Sequence, residues 1–427
     1  NSIPSFSWSK QSFLDMAMWS SLLLLVVGVA AHSGTCPASK KCGADAGSEK
    51  GLPCCQISST SFECCSSSEA CIPNVGCRCA GEENLRDYEG YSFEDYKQEF
   101  SKSYADHELE SRKSIFEANL RKVQAHNAEY RQGHRTWYMA MNELADLSSE
   151  EFGVRRSTKV AHAVNRPFLQ LDAEVHKPNP AAFDWRSKGV VTPVKDQGGC
   201  GSCWAFSATE TVESHYAIAS GKLLTLAPQT YVDCVENPDD CGGTGGCEGA
   251  TMELAFNLTI SKGIALESSL PYEGRDASCP SYKPAVKAKS YVRLPINEAA
   301  SLETALATKG PMSVTVAAGS WQLYGGGIFS GCSEGSDNTL DHGVQAVGYA
   351  KDYWLIRNSW GPGWGEKGYI RLSRASDTKT FVDHNPADGE ACKPYPKTQT
   401  IGGECGVLFD SSYPVGLVAG TEEEIVV

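Results

Sequence analysis

Cys203 is the side chain of this protein best suited to act as a nucleophile. It stands in Gln197-Gly-Gly-Cys-Gly-Ser-Cys-Trp-Ala-Phe206, at the expected first turn of a helix, six residues beyond Gln197. Asp341-His342-Gly343 and an Asn-Ser-Trp run beginning at Asn358 follow far downstream. A thiol attacks only as thiolate, and with an ordinary pKa of about 8.5 it is roughly 0.1% ionised near pH 5.5. The positive end of a helix dipole favours the anion but is too weak to do so alone. A charged imidazole is needed as well, and His342 is the candidate, 139 positions beyond Cys203. Asn358 would accept the proton of the second ring nitrogen and fix the ring. Trp360 would shield that bond from water. The Gln197 amide would donate to an oxyanion beside the Cys203 backbone N–H, a contact worth about 3 kcal/mol in a transition state. Together these groups would attack a carbonyl carbon and form an acyl intermediate.

Each group alone has a plainer reading, since a lone histidine is usually structural and Asn-Ser-Trp is common. Cys200 and Cys203 also form a Cys-x-x-Cys pair, but a redox dithiol needs no distant His and Asn. The elements that must position these groups are legible nearby. Ser202 is a candidate N-cap, and a helical pattern runs from Cys203 to Gly221.

With 427 residues the chain is too long for one ordinary domain; its formal net charge is −14, and no Lys/Arg cluster suggests nucleic acid or anionic membrane as a partner. Eighteen cysteines point to an oxidising compartment. Ser20 to Ala31 has the apolar core and small-residue end of a signal peptide, with cleavage after Ala31 and translation starting at Met16 or Met18. No other long apolar run occurs, so the mature protein is expected to be soluble. Nine cysteines lie between Cys36 and Cys79 amid Ser, Gly and Pro, a composition that folds only if disulfides close it. With no His and no repeated Cys-x-x-Cys, that segment does not read as a zinc site. A spacer lost on maturation and a binding module both suit it.

From Tyr91 to Phe152 the chain is charged and helical. Glu108, Arg112, Phe116, Asn119, Val123 and Asn127 share one helix face. Their order resembles the inhibitory propeptide of cathepsin L-like proteases, with Val123 where Ile is usual. Ala140-Met-Asn-Glu-Leu-Ala-Asp146 is similar to the second propeptide motif, keeping Asn142 and Asp146 but not its Gly and Phe. Residues Asn179 to Arg186 resemble the mature start of papain-like enzymes, and the likeness continues to about Leu417.

The resemblance implies an α+β, papain-like fold of two subdomains: a helical left half holding Cys203, and a right half of antiparallel strands, barrel-like, carrying His342 and Asn358. The expected organisation is 1–31 upstream residues and signal peptide, 32–80 Cys-rich module, 81–178 propeptide and linker, 179–427 catalytic domain. It also implies the bridges Cys200–Cys247, Cys234–Cys279 and Cys332–Cys405. Cys241 and Cys392 remain, each in a segment longer than the family norm (236–246 and 377–404), and are expected to form a fourth. The family's main selectivity pocket maps onto Thr251, Met252, Thr315, Leu340 and Asp410, beside Gly249, Asp341 and Trp360. Acidic Asp410 is similar to the floor of cathepsin B, so Arg should be accepted as well as apolar side chains. Ala250 departs from the family's Gly, which puts close approach of substrate backbone there in doubt.

The function implied is a cysteine endopeptidase zymogen needing no metal or cofactor. Its partners would be peptide or protein substrates and its own propeptide. The expected form is a monomer, off the membrane, lysosomal, vacuolar or extracellular. An exopeptidase of the same fold is the alternative within the class, although no His-bearing insertion lies between Cys279 and Gly310. A binding protein centred on the Cys-rich module is the alternative outside it. Asn257-Leu-Thr259 is a glycosylation sequon.

Overall fold

The computed structural model describes residues 84–156, 178–333, 335 and 338–420, and the backbone of four short strands between 54 and 79. The expected signal segment and the linker stretch 157–177 lie outside the described residues. The chain divides into two units, Asn1–Cys79 and Ala80–Val427. In the first, Cys54–Gln56 pairs antiparallel with Phe62–Cys64, and Glu69–Ile72 with Gly76–Cys79.

The second unit begins with helices α1 (Phe93–Glu99) and α2 (Asp106–Arg131). A capping box at Ser92 and Asp95 starts α1. Phe116 of α2 is 1% exposed, with the rings of Tyr91, Phe93 and Tyr96 at 6.0, 5.4 and 5.1 Å. The polar members of the same face close the short motif that follows. Arg112 donates to both Glu151 carboxylate oxygens at 2.6 and 2.7 Å. Asn119 donates to the Ala145 carbonyl at 2.9 Å. Asn127 both donates to and accepts from the Met139 backbone, each at 2.8 Å. Asp146 accepts from the hydroxyls of Tyr96 and Tyr104 at 2.9 and 2.8 Å and from Lys102 at 3.0 Å. The helix face reads as amphipathic because three of its six members satisfy backbone or carboxylate groups beneath it, not because all six are apolar.

Strand β1 (Trp137–Met139) then joins the main sheet. The other strands on its path are β2 (Ser290–Arg293), β3 (Met312–Val316), β4 (Tyr324–Phe329), β5 (His342–Tyr349), β6 (Tyr353–Arg357), β7 (Tyr369–Ser373) and β8 (Ser411–Val415), in the order β1-β4-β7-β6-β5-β3-β8-β2. One pairing, β4 with β7, is parallel; the other pairings on this path are antiparallel. β1 adds to the edge at β4, with Trp137 opposite Gly327. Gly327 has φ +92°, and a Cβ there would lie 2.6 Å from the Thr136 carbonyl, so only glycine lets β1 approach.

Two apolar cores result. One joins the right half to the 84–156 segment, so Phe116 and Trp137 belong to the same core as Trp321 and Trp354. The other lies in the left half, around Trp204, Tyr231 and Phe256. Helix α3 (Ser149–Val154) ends the described part of the leading segment. Among the described residues no helix is long and apolar enough to cross a membrane.

Truncating Phe116 to Ala removes the ring at the centre of the aromatic cluster and should cost about 3–5 kcal/mol of local stability. A two-stage thermal melt of the full chain is expected, with the 84–156 segment unfolding below the catalytic domain; a single transition at the wild-type temperature would contradict it.

Candidate active site

The site is assembled where a helix start meets a strand start. Helix α4 (Cys203–Ser220) ends at Gly221, and its first fifteen residues, Cys203 to Ala217, are buried. Ser202 stands at the N-cap without a capping bond; its hydroxyl pairs with Tyr272 Oη at 2.7 Å instead. A buried helix must satisfy its polar side chains internally, and α4 does so. Glu213 accepts from Thr192 Oγ1, Lys195 Nζ and the Leu226 N–H at 2.5, 2.6 and 2.7 Å. Glu210 faces Arg357 at 3.3 Å, and burial pushes its carboxyl up to about 7. Ser207 donates to the Val344 carbonyl at 2.7 Å, fastening the helix to β5.

Gly343, the second residue of β5, makes the close approach possible. A Cβ there would lie 3.1 Å from Trp204 Cα. Without one, the Gly343 N–H donates to Cys203 Sγ at 3.4 Å. Among the described residues Cys203 is the one cysteine outside a disulfide, and it is buried. His342, adjacent in β5, is 1% exposed. Its Nε2 donates to Asn358 Oδ1 at 2.7 Å, which leaves Nδ1 as the nitrogen available to the thiol. Trp360 stacks on the imidazole at 4.7 Å and covers that bond, while Trp321 meets the ring edge-on at 6.2 Å. Burial lowers the imidazole to about 4, and the Arg156 charge acts in the same direction; the Asn358 bond and Asp341 oppose them.

Gln197 is fully buried and oriented at both ends. Its Oε1 accepts from Ser359 Oγ at 2.7 Å, and its Nε2 donates to the Cys200 carbonyl at 2.9 Å and to the Arg155 carbonyl at 2.8 Å. The last contact comes from the segment just after α3. There Phe152 meets Trp360 edge-to-face at 5.1 Å, Arg155 pairs with Asp196 at 3.3 Å, and Arg156 stacks over Phe152 and pairs with Asp341. The leading segment therefore lies over the thiol and imidazole, with a main-chain carbonyl at the amide of Gln197. Sequence reasoning missed Arg155, Arg156 and Ser359. Ser359 could have been found, since it lies inside the Asn-Ser-Trp run; the arginines carry no local signature.

Among the described residues four disulfides join Cys200–Cys247, Cys234–Cys279, Cys332–Cys405 and Cys241–Cys392. Beside His342, a pocket is walled by Trp204, Thr251, Met252, Thr315 and Leu340, with Glu390 reaching into it. Asp410 differs from its expected place at the pocket floor. It is 4% exposed, accepts from Arg293 at 2.6 and 3.1 Å, and stands behind the Thr315 hydroxyl at 3.5 Å. Gly249 does not line this pocket; its carbonyl accepts from the Gly245 N–H at 2.8 Å. Asn257 is exposed on its helix, whereas Thr259 is buried.

Residues 179–389 match the papain family cysteine protease domain, and residues 93–152 match the cathepsin propeptide inhibitor domain (I29). A cathepsin L-like protein of Caenorhabditis elegans is 40% identical over 296 residues, 66% of this chain and 86% of that one. Cathepsin S of Mus musculus is 37% identical over 309 residues, 70% and 90% of the two chains. Digestive procathepsin L 3 of Tenebrio molitor superposes with a TM-score of 0.62 at 33% identity, over 76% of this chain and 97% of that one. This chain belongs to the papain family of cysteine proteases and is a precursor carrying its own inhibitory propeptide.

Non-reducing peptide mapping of the full chain should recover Cys241 linked to Cys392, and alkylation of the denatured, unreduced chain should label Cys203 alone among the cysteines from 200 to 405. Label on Cys241 or Cys392 would exclude the fourth bridge.

Proposed function

We propose that the chain is a secreted or vacuolar endopeptidase zymogen in which Cys203, His342, Asn358 and Gln197 carry out the reaction. The observation that carries this reading is the Arg155 carbonyl at 2.8 Å from Gln197 Nε2, where a substrate carbonyl would be polarised. Once the propeptide leaves, Cys203 Sγ attacks the carbonyl carbon of the scissile bond, and the oxyanion takes the Gln197 amide and a backbone N–H. His342 then protonates the leaving amine. In the second half it takes a proton from water, whose oxygen attacks the thioester and releases the acid and Cys203. Asn358 keeps the ring oriented through both halves, and Ser359 orients Gln197. The disulfides and the signal-like N-terminus support passage through the secretory pathway.

Acid release follows from His342. In the covered state its pKa is about 4, and uncovering returns it toward the ordinary 6.5. Between these values the open state binds more protons than the closed one. The closed state is therefore favoured most above pH 6.5 and loses that advantage as pH falls towards 4. The Arg112–Glu151 pair acts in the same direction, since the depressed Glu151 carboxyl loses its contribution as pH falls through its folded pKa.

The full chain incubated with reductant at pH 4.5 should shorten to a fragment starting near Asn179 and gain hydrolysis of a fluorogenic peptide. Cys203→Ser should do neither. A Cys203→Ser chain that matures alone would remove Cys203 from the mechanism. The rate of self-processing should climb as pH falls from 6.5 towards 4 and level off below; a rate flat across that window would exclude His342 as the titrating group.

A further inference from the structure

The structure shows where the segment Asp377 to Glu404, expected to be long for the family, goes. Cys392 is bonded to Cys241 in the other long segment. On either side of that bridge, the Gly242 N–H donates to the Ala391 carbonyl at 3.3 Å and the Lys393 N–H to the Asp239 carbonyl at 2.9 Å. Lys393 Nζ also pairs with Asp240. At the near end Gly389 is pressed against the strand side, where a Cβ would lie 2.5 Å from the Leu340 carbonyl. Glu390 is held between these two fixed points, and its side chain enters the pocket beside His342.

The carboxylate it brings has no dedicated cation. Glu390 Oε2 is shielded from solvent and has no hydrogen-bond partner among the described residues. Behind it are two more carboxylates, Glu253 (5% exposed) and Asp410 (4% exposed). The one guanidinium among them, Arg293, is bound to Asp410 at 2.6 Å and stands 3.8 Å from Glu253. Three acids thus share one base. Burial first, and the Asp410 charge second, push both Glu253 and Glu390 above the ordinary carboxyl range, as expected where a second positive charge is lacking.

We infer that Glu390 is the specificity-determining residue of this pocket, and that it selects Arg or Lys as the second residue before the cleaved bond. The inference rests on the endopeptidase reading above and assigns to Glu390 the role that the family resemblance implied for Asp410. Thr315 hydrogen-bonds this half-buried carboxylate, but its Oε2 gains a charged partner only when a basic side chain enters, and an isosteric neutral side chain supplies none. The walls of Leu340, Met252 and Trp204 would pack the aliphatic stem of that side chain.

The charge can be tested without altering the enzyme. Acid-matured wild type is given two fluorogenic peptides that differ only in Arg or citrulline at the second position before the cleaved bond. The ratio of their kcat/KM values is expected to favour Arg by about tenfold or more, and Glu390→Gln to bring it within about twofold of one. A wild-type ratio near one, or a Glu390→Gln ratio equal to that of wild type, would overturn the proposal. The Cys203→Ala chain, its leading segment removed by added pepsin at acid pH, is titrated calorimetrically with the same pair. Arg should again bind more tightly than citrulline, and equal affinities would also overturn it. If wild type hydrolyses neither peptide while this binding difference persists, the peptidase reading fails and the pocket assignment stands.

Discussion

The contact on which the molecule depends is the approach of the first turn of α4 to the first residues of β5. Gly343 has no side chain to hold the two apart, so its N–H reaches Cys203 Sγ while the adjacent His342 is carried into the same space. Neither group would be useful alone. The thiol needs a positive neighbour, and the imidazole needs a fixed tautomer, which the bond to Asn358 supplies. The buried charges of α4 belong to the same constraint. A helix enclosed between two cores cannot leave Glu213 or Glu210 without partners, and Lys195 and Arg357 tie it to both flanks.

The propeptide is held by the same principles that hold the catalytic domain. It contributes a strand to the edge of the sheet, and its aromatic cluster belongs to the core of the right half. Its last described turn places a carbonyl on Gln197 and a guanidinium on Asp341. Inhibition in this arrangement is occupation: groups aimed at a substrate are satisfied by the chain's own backbone. The large apolar contact keeps the segment docked. In this closed state burial lowers the pKa of His342.

The two long segments meet at a disulfide, and one of them brings Glu390 to the pocket. Residues 236–246 are short of apolar side chains, and a disulfide ties them to 377–404, whose Ile401 is buried in the right-half core. Anchored at Cys392 on one side and at Gly389 on the other, Glu390 has little freedom to turn away from the pocket. Arg293, distant in sequence, occupies Asp410 and so changes which acid faces the cleft.

Much of this protein was legible in its residues. The helix after Ser202, its stop at Gly221, the helix face from Glu108 to Asn127 and the family likeness follow from local pattern, because periodicity, capping and turn chemistry act over a few residues. The same is true of the types of group at the site: a thiol, an imidazole and two side-chain amides. Other features were decided by contacts between residues far apart in the chain, about which spacing is silent. The edge strand at Trp137, the single parallel pair of β4 and β7, the carbonyl of Arg155 at Gln197 and the role of Ser359 are of this kind. Asp410 shows the difference most clearly. Its position relative to Cys405 put it at the pocket, but which carboxylate remains unpaired depends on where Arg293 and Glu390 arrive, and only the tertiary structure brings those three together.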